Sequence, residues 1–338
     1  MLRFLSKIYG FIVKKRRRYY KLHPEKQVHV DVPVISVGNI SVGGSGKTPF
    51  CYYLATKLIS LGLRPAIVGR GYKRKTKGLV IVSDGNKVMA SVEEVGDEMY
   101  LLASLVKAPV IVNEKKYIAV KKANELFDID CVIIDDGFQH LKIYRDVDIV
   151  LIDKETIISP YLLPKGRLRE PLESVAETDF VCYYDDDSKD ILLNFNKNLL
   201  KLNVSFFEPY EIFTKEQSLI ANFIENKERV LLLSGIAQPL RFYQMIKDKN
   251  ICIDYHLIFP DHHYYDQKDI NRIIAIAERY HLKCVFTTEK DGVKLIGYGE
   301  IFAKNKIKVF TMPLCLSISD IDFEKIKNKI KYNIVTKD

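Results

Sequence analysis

The sequence predicts a doubly wound, mainly parallel α/β sheet followed by a second, smaller α/β domain. Three observations predict it. From residue 29 onward, short β-rich apolar runs alternate with amphipathic stretches, the pattern of a parallel sheet covered on both faces. The first run passes directly into a glycine-rich loop, Ser41-Val42-Gly43-Gly44-Ser45-Gly46-Lys47-Thr48, which makes the sheet one of the P-loop NTPase type. A second strand–helix cycle opens near Arg229, after a polar stretch at 185–227 with weak periodicity. At 338 residues, 47% hydrophobic and 28% charged, the chain is not disordered and has room for two cores. Six scattered cysteines without a C-x-x-C pair argue against a disulfide framework and for a reducing compartment. The expected division is 1–28, a membrane-associated helix and basic segment; 29–210, the P-loop domain; and 211–338, the smaller domain.

The elements follow in order. Most of the net charge of +9 lies before residue 27, where nine Lys and Arg face only Glu25. Leu2, Phe4, Leu5, Ile8, Tyr9, Phe11, Ile12 and Val13 precede the cluster and fall largely along one helical side. That run is far shorter than the ~20 residues of a spanning helix. An apolar face followed by a polybasic cluster suits a helix lying in a membrane interface. A cleaved signal peptide fits less well, because the charges follow the apolar part and no small-residue cleavage site appears. Beyond it, a strand is expected at 32–37 and a helix from Lys47 to Gly62, which stops it. Strands follow at 64–68 and 79–82, a helix at 95–107, a strand at 109–112 and a helix at 114–127. A buried strand ends in the acids Asp135 and Asp136, and another spans 147–152. In the second cycle, strands are expected at 230–235, 251–257, 284–288 and 309–312. Helices run from Pro239, over 267–280 and from Glu289.

Four constellations carry chemistry. In the loop, Gly43, Gly44 and Gly46 let backbone N–H groups curl around phosphate oxygens, Lys47 reaches the β- and γ-phosphates, and the Thr48 hydroxyl suits Mg²⁺. Pro49 is tolerable in a first helical turn, where N–H groups have no helical partner. Asp135 and Asp136, at the carboxyl end of an apolar strand, are the acidic partners such a loop needs to hold the metal. "EVGDE" places Asp97 behind a glycine at a helix start, and "FPDHH" puts an acid with His262 and His263 in a strand–helix loop. A kinase needs an Asp or His to take the acceptor hydroxyl's proton. Zinc is less apt for the histidines, since matching Cys/His spacing is absent. "LLPKGRLREP" forms a rigid cationic turn, with Glu170 available near the metal.

Taken together, the chain resembles the tetraacyldisaccharide 4′-kinase family of lipid A biosynthesis almost end to end. The resemblance rests on "PVISVGNISVGGSGKTP", "RGY" at 70–72, "VGDE" at 95–98, "IIDDGFQH" at 133–140, "LLPKGRLREP", "SGIAQPLRF" at 234–242, "FPDHH" and "TEKDGVKL" at 288–295. Ser41 and Pro49 belong to that family's loop. The resemblance implies transfer of the ATP γ-phosphate, with Mg²⁺, to the 4′-hydroxyl of a tetraacylated glucosamine disaccharide 1-phosphate, giving lipid IVA. It implies a catalytic pair of Asp97 and His262. Phosphate and Mg²⁺ handling then falls to Lys47, Thr48, Asp135, Asp136, Gln139 and Glu170, with Arg70 and Arg169 as further substrate contacts. It also implies a peripheral protein on the cytoplasmic face of the inner membrane, held by its first helix, with a glycolipid substrate. No nucleic-acid partner and no obligate protein partner is expected. Gly69, Lys165 and Arg167 depart from the family's pattern and bear on lipid headgroup contact. The alternative is a nucleotide-dependent switch or assembly factor, for which "TEKD" (288–291) resembles a guanine-reading motif.

Overall fold

The computed structural model describes residues 1–335 and 337. After helix α1 (Leu2–Leu22), the chain builds a large sheet of eight strands: β1 (Val34–Gly38), β2 (Pro65–Gly69), β3 (Val80–Asp84), β4 (Pro109–Val112), β5 (Cys131–Asp135), β6 (Val147–Ile152), β7 (Phe180–Tyr183) and β8 (Leu199–Lys201). Their spatial order is β3-β4-β2-β5-β1-β6-β7-β8, parallel throughout except for the antiparallel edge strand β3. All five residues of β1 are buried, as a strand covered on both faces requires. Helices α2 (Lys47–Ser60), α3 (Val92–Val95), α4 (Asp97–Leu105), α5 (Lys116–Leu126), α6 (Lys154–Ile158) and α7 (Asp186–Leu192) connect the strands. Apolar side chains of α2 and α4 pack on one face of the sheet, and Ala119, Val120 and Ala123 of α5 on the other.

Strand β9 (Asn203–Phe206) leads out to a second sheet formed by β10 (Tyr210–Glu211), β11 (Arg229–Ser234), β12 (Cys252–Ile258), β13 (Cys284–Thr287) and β14 (Lys308–Thr311). Its order is β10-β14-β13-β11-β12, with only β10 antiparallel. Helices α8 (Ile220–Glu225), α9 (Pro239–Lys247), α10 (Gln267–Arg279), α11 (Glu289–Leu295) and α12 (Gly299–Lys304) accompany it. Strand β15 (Leu314–Ser317) then pairs antiparallel with β9, and α13 (Asp320–Val335) ends the described fold.

Two differences from the sequence expectation matter for the site. The helix expected at 95–107 spans Asp97–Leu105, and a separate short helix precedes it. A capping box of Ser91 and Glu94 starts the short α3, and Gly96 at φ 84°, ψ 152° interrupts it before α4. A Cβ at Gly96 would lie 2.7 Å from the Tyr72 carbonyl oxygen, so only glycine fits. The break makes Asp97 the first residue of a new helix. Second, residues at the end of the 211–338 range pack on the large sheet: Leu316, Ile318, Phe323, Ile326 and Ile330 belong to the same core as α2 and α4. They cover apolar side chains of α2, and Lys337 adds a 2.8 Å ion pair to Asp146 at the foot of β6.

Ile326→Ala, at a fully buried position, is expected to destabilise the large-sheet unit by about 2–5 kcal/mol through the cavity it leaves. A lowered urea midpoint for that unit, with the smaller domain's transition unmoved, checks it.

Candidate active site

The carboxyl ends of β1 and β5 carry the phosphate machinery. Gly38 lets β1 pass close beside Phe138, where a Cβ would come within 2.5 Å of the phenylalanine Cβ. The loop then curls back on itself. Asn39 Nδ2 donates to Ser45 Oγ at 2.7 Å, and Gly46, left-handed at φ 77°, begins α2. Any side chain at Gly46 would strike the Tyr184 hydroxyl and Leu316. Such a curl at the start of a 14-residue helix is the backbone geometry that binds polyphosphates. Lys47 folds over the loop, its Nζ 3.5 Å from Ser45 Oγ and 3.5 Å from Asp136 Oδ1, and Thr48 is buried beside it. Ser41 and Val42 are braced from outside: Ser41 bridges to Leu168, and the Arg167 guanidinium donates to the Val42 carbonyl at 2.9 and 3.2 Å.

The two acids of β5 are driven into different states. Lys116, 1% exposed, donates to the backbone carbonyls of Asp135 and Asp136 at 2.6 and 2.7 Å and fixes the strand's end. Burial pushes the Asp135 carboxyl up to about 6, with the Glu98 charge adding to the rise and Lys116 and Lys47 opposing it. Burial would raise Asp136 as well, but two hydrogen bonds from Arg169, at 2.7 and 3.0 Å, and the charges of Lys47 and Lys116 hold it well below the carboxylate range. Asp136 is therefore an anion already neutralised. Asp135 has no cation at bonding distance among the described residues; its nearest polar partner is Cys51 Sγ at 3.8 Å. With the Thr48 hydroxyl, it offers hard oxygen donors of the kind Mg²⁺ takes.

Asp97 faces the same end of the sheet from the start of α4. Both of its oxygens lie 2.9 Å from Nδ1 of His262, which the smaller domain presents from the loop after β12. His262 takes a left-handed backbone, φ 55°, and its N–H donates to the Gly235 carbonyl. Burial disfavours the Asp97 anion, but the His262 hydrogen bond and the charges of Lys290 and Lys294 overcome it, and its carboxyl falls to about 2. Glu98 next to it pairs with Lys290 of α11. The Glu98 charge is also among those that raise Asp135, so the two clusters form one electrostatic unit.

Helix α1 runs alongside. It buries only Ser6, Gly10 and Arg17, which share one face at 100° per residue. Phe4, Ile8 and Phe11 lie on the opposite face and are exposed at 68%, 43% and 69%. That reverses the pattern of a helix packed on its own core. Among the described residues, no helix is long and apolar enough to cross a membrane.

The profile of the family described as tetraacyldisaccharide-1-P 4′-kinase matches residues 1–331. The chain belongs to this family. The tetraacyldisaccharide 4′-kinase of Halothermothrix orenii is 35% identical, covering 97% of this chain and 92% of its own length. That of Aquifex aeolicus is 38% identical over 90% of this chain and 92% of its own. The solved structure of the Aquifex aeolicus LpxK, described as an "apo" form in complex with ATP, has a TM-score of 0.78 at 32% identity, covering 98% of this chain and 97% of that one. As a member of the tetraacyldisaccharide 4′-kinase family, the chain is an ATP-using kinase of lipid A biosynthesis.

Within this kinase, the structure brings Lys47, Thr48, Asp135, Asp136, Arg169 and the Asp97–His262 pair to one end of the large sheet. His263 is turned elsewhere: its Nε2 lies 2.7 Å from Asp269, and its ring stacks on Phe259. Gln139 donates to the Asn39 carbonyl at 2.8 Å, with its buried Oε1 unpartnered. Arg70 stands exposed beyond β2. Glu170, expected beside the metal, faces Arg17 of α1 at 3.4 Å and follows directly on Arg169, which grips Asp136. Arg17, in turn, is 8% exposed and does not belong with the lipid-facing charges of its cluster. Asp291 of "TEKD" is fully buried and spent on Gly235, Tyr265, Thr288 and Lys294, which leaves it nothing with which to read a base. Sequence reasoning assigned no role to Lys116, Lys290 and Lys294; Lys290 and Lys294 lie in the "TEKDGVKL" stretch, and Lys116 gives no signal beyond its place in a predicted helix.

Gly46→Ala is expected to cost about 1–2 kcal/mol of stability from the left-handed backbone alone. Calorimetric titration should show ATP affinity falling with it, because the new methyl displaces Tyr184 or Leu316 from the loop.

Proposed function

We propose that this kinase transfers the γ-phosphate of ATP to the 4′-hydroxyl of a tetraacyldisaccharide 1-phosphate, with Asp97 receiving the hydroxyl proton and His262 holding Asp97 in place. The observation that carries this is the Asp97–His262 contact, made between the two domains, next to Glu98 and the loop end of the large sheet. With its carboxyl near 2, Asp97 stays ionised and can accept a proton at any working pH. It is a weak base, which suits a loose phosphoryl transfer in which positioning counts for more than proton abstraction. His262 Nδ1–H donates to the carboxylate and fixes its orientation.

Lys47 and the loop N–H groups bind the phosphates, and Thr48 and Asp135 are the residues that would hold Mg²⁺. When bound, the ion supplies charge neutralisation on the β- and γ-phosphates. Asp136 keeps Arg169 and Lys47 in register beneath them.

Helix α1 fits a peripheral membrane seat on the cytoplasmic side, where a lipid acceptor would lie. Phe4, Ile8 and Phe11 enter the interface, and Arg3, Lys7, Lys14 and Arg18 lie along one flank of the helix, in reach of lipid phosphates.

Two measurements test this reading. Asp97→Asn should lower kcat by roughly 10²–10⁴-fold while calorimetric ATP affinity persists; turnover near that of the parent enzyme rules out the role given to Asp97. Replacing Phe4, Ile8 and Phe11 together with Ser should abolish flotation with anionic liposomes without lowering the melting temperature, since all three are exposed.

A further inference from the structure

Helix α1 holds more than a place at the membrane. Its polar contacts with the body fall on two segments. Ser6 Oγ donates to the Leu162 carbonyl at 2.9 Å, the Tyr9 hydroxyl to the Arg169 carbonyl at 3.0 Å, and Arg16 Nη2 to the Gln139 carbonyl at 3.2 Å. Arg17 goes deepest. Its Nε and Nη2 donate to Glu177 Oε2 at 2.9 and 2.7 Å, its Nη1 lies 3.4 Å from Glu170 Oε2, and its guanidinium carbon stands 4.4 Å from the centre of the Phe138 ring.

Those two segments, 138–139 and 162–177, are also the ones that set the phosphate site. Phe138 packs against Gly38 at the entrance to the P-loop and follows Asp136 by two residues. Arg169, next to Glu170, grips Asp136, and the N–H groups of both Arg169 and Glu170 donate to the Ile40 carbonyl. Arg17 is thus the one side chain of α1 that touches both walls of the site at once.

We propose that Arg17 is a positioning residue for phosphoryl transfer: by spanning Glu170 and Phe138 it sets the relation between the Arg169–Asp136 pair and the P-loop. The polybasic run Lys14–Arg18 is therefore divided in function. Arg17 serves the site, Arg16 reaches the Gln139 carbonyl, and Lys14, Lys15 and Arg18 are exposed. A guanidinium suits this task and an ammonium does not, because only the planar fork can bond Glu177, face Glu170 and stack on a ring together. Loss of a group that orients residues in direct contact with the reacting species typically costs 10–100-fold in activity.

The inference rests on the kinase reading, so the test measures lipid labelling from [γ-³²P]ATP in detergent micelles, beside flotation with anionic liposomes. Arg17→Met is expected to lower kcat roughly 10–100-fold with the acceptor KM and liposome flotation unchanged. Arg17→Lys, which keeps the charge and spares the fold, should recover only part of the loss. Two outcomes overturn the proposal: both variants folded with kcat within twofold of the parent, or a deficit that follows lost flotation and vanishes at saturating acceptor in micelles. A deficit in Arg17→Met that Arg17→Lys restores fully counts against it as well, since charge alone would then suffice. Failure of the parent enzyme itself to label lipid would count against the kinase reading and not against the contacts of Arg17.

Discussion

Buried carboxylates in need of cations organise this molecule. Asp97, Asp135 and Glu170 are each almost shut off from water, and Asp136 beside them is only a third exposed. An isolated buried anion is costly enough that the surrounding structure must answer it. Each is answered differently. Arg169 grips Asp136, His262 and two lysines attend Asp97, Arg17 faces Glu170, and the Asp135 carboxylate alone has no cation at bonding distance among the described residues. The answering groups come from all parts of the chain: α1, the turn at 161–171, and the loop after β12 together with α11. The fold is in this sense a device for bringing remote cations to one end of a sheet, with one anion left for a metal to neutralise.

The Asp97–His262 pair depends on that same economy. Gly96 breaks the helix so that Asp97 leads α4, and His262 takes a left-handed backbone so that Nδ1 meets it. Neither residue alone explains the low carboxyl of Asp97. The smaller domain supplies His262, Lys290 and Lys294, so the electrostatic state of this carboxylate depends on the two domains being apposed. The same apposition brings Lys73 of the large domain to the Asp261 carbonyl, beside His262.

Much of the design was legible in the sequence where it is local. The P-loop, the acids after β5 and most strands follow from glycine spacing and apolar runs, because these depend on neighbours along the chain. What could not be read depends on contacts far apart in sequence. Lys116 in its helix gives no sign that its amine ends beneath Asp135. Arg17 looks like any other member of a basic cluster, and Glu170 like a ligand for a nearby metal, until the distance between α1 and the 161–171 turn is known. The return of α13 to the large sheet was hidden for the same reason, since its pattern of Phe323, Ile326 and Ile330 names a buried face without naming what covers it. The helix expected at 95–107 forms as Asp97–Leu105, and its start was legible in the glycine before Asp97, while the separate turn of α3 ahead of it was not.

The pairing of β9 with β15 has a topological consequence. Phe206 and Leu314 stand opposite one another in that ribbon, so the chain leaves the large sheet and comes back through adjacent strands. Everything between them is suspended from a single hairpin stem, and the large sheet with α13 is continuous without it. The smaller domain is therefore an insertion in the architectural sense, a module grafted into the loop of a hairpin, whose graft point is about one strand spacing wide. An ancestral or engineered form lacking it would need only a tight turn to reconnect the stem. What such a form would lose at the site is a histidine and two lysines.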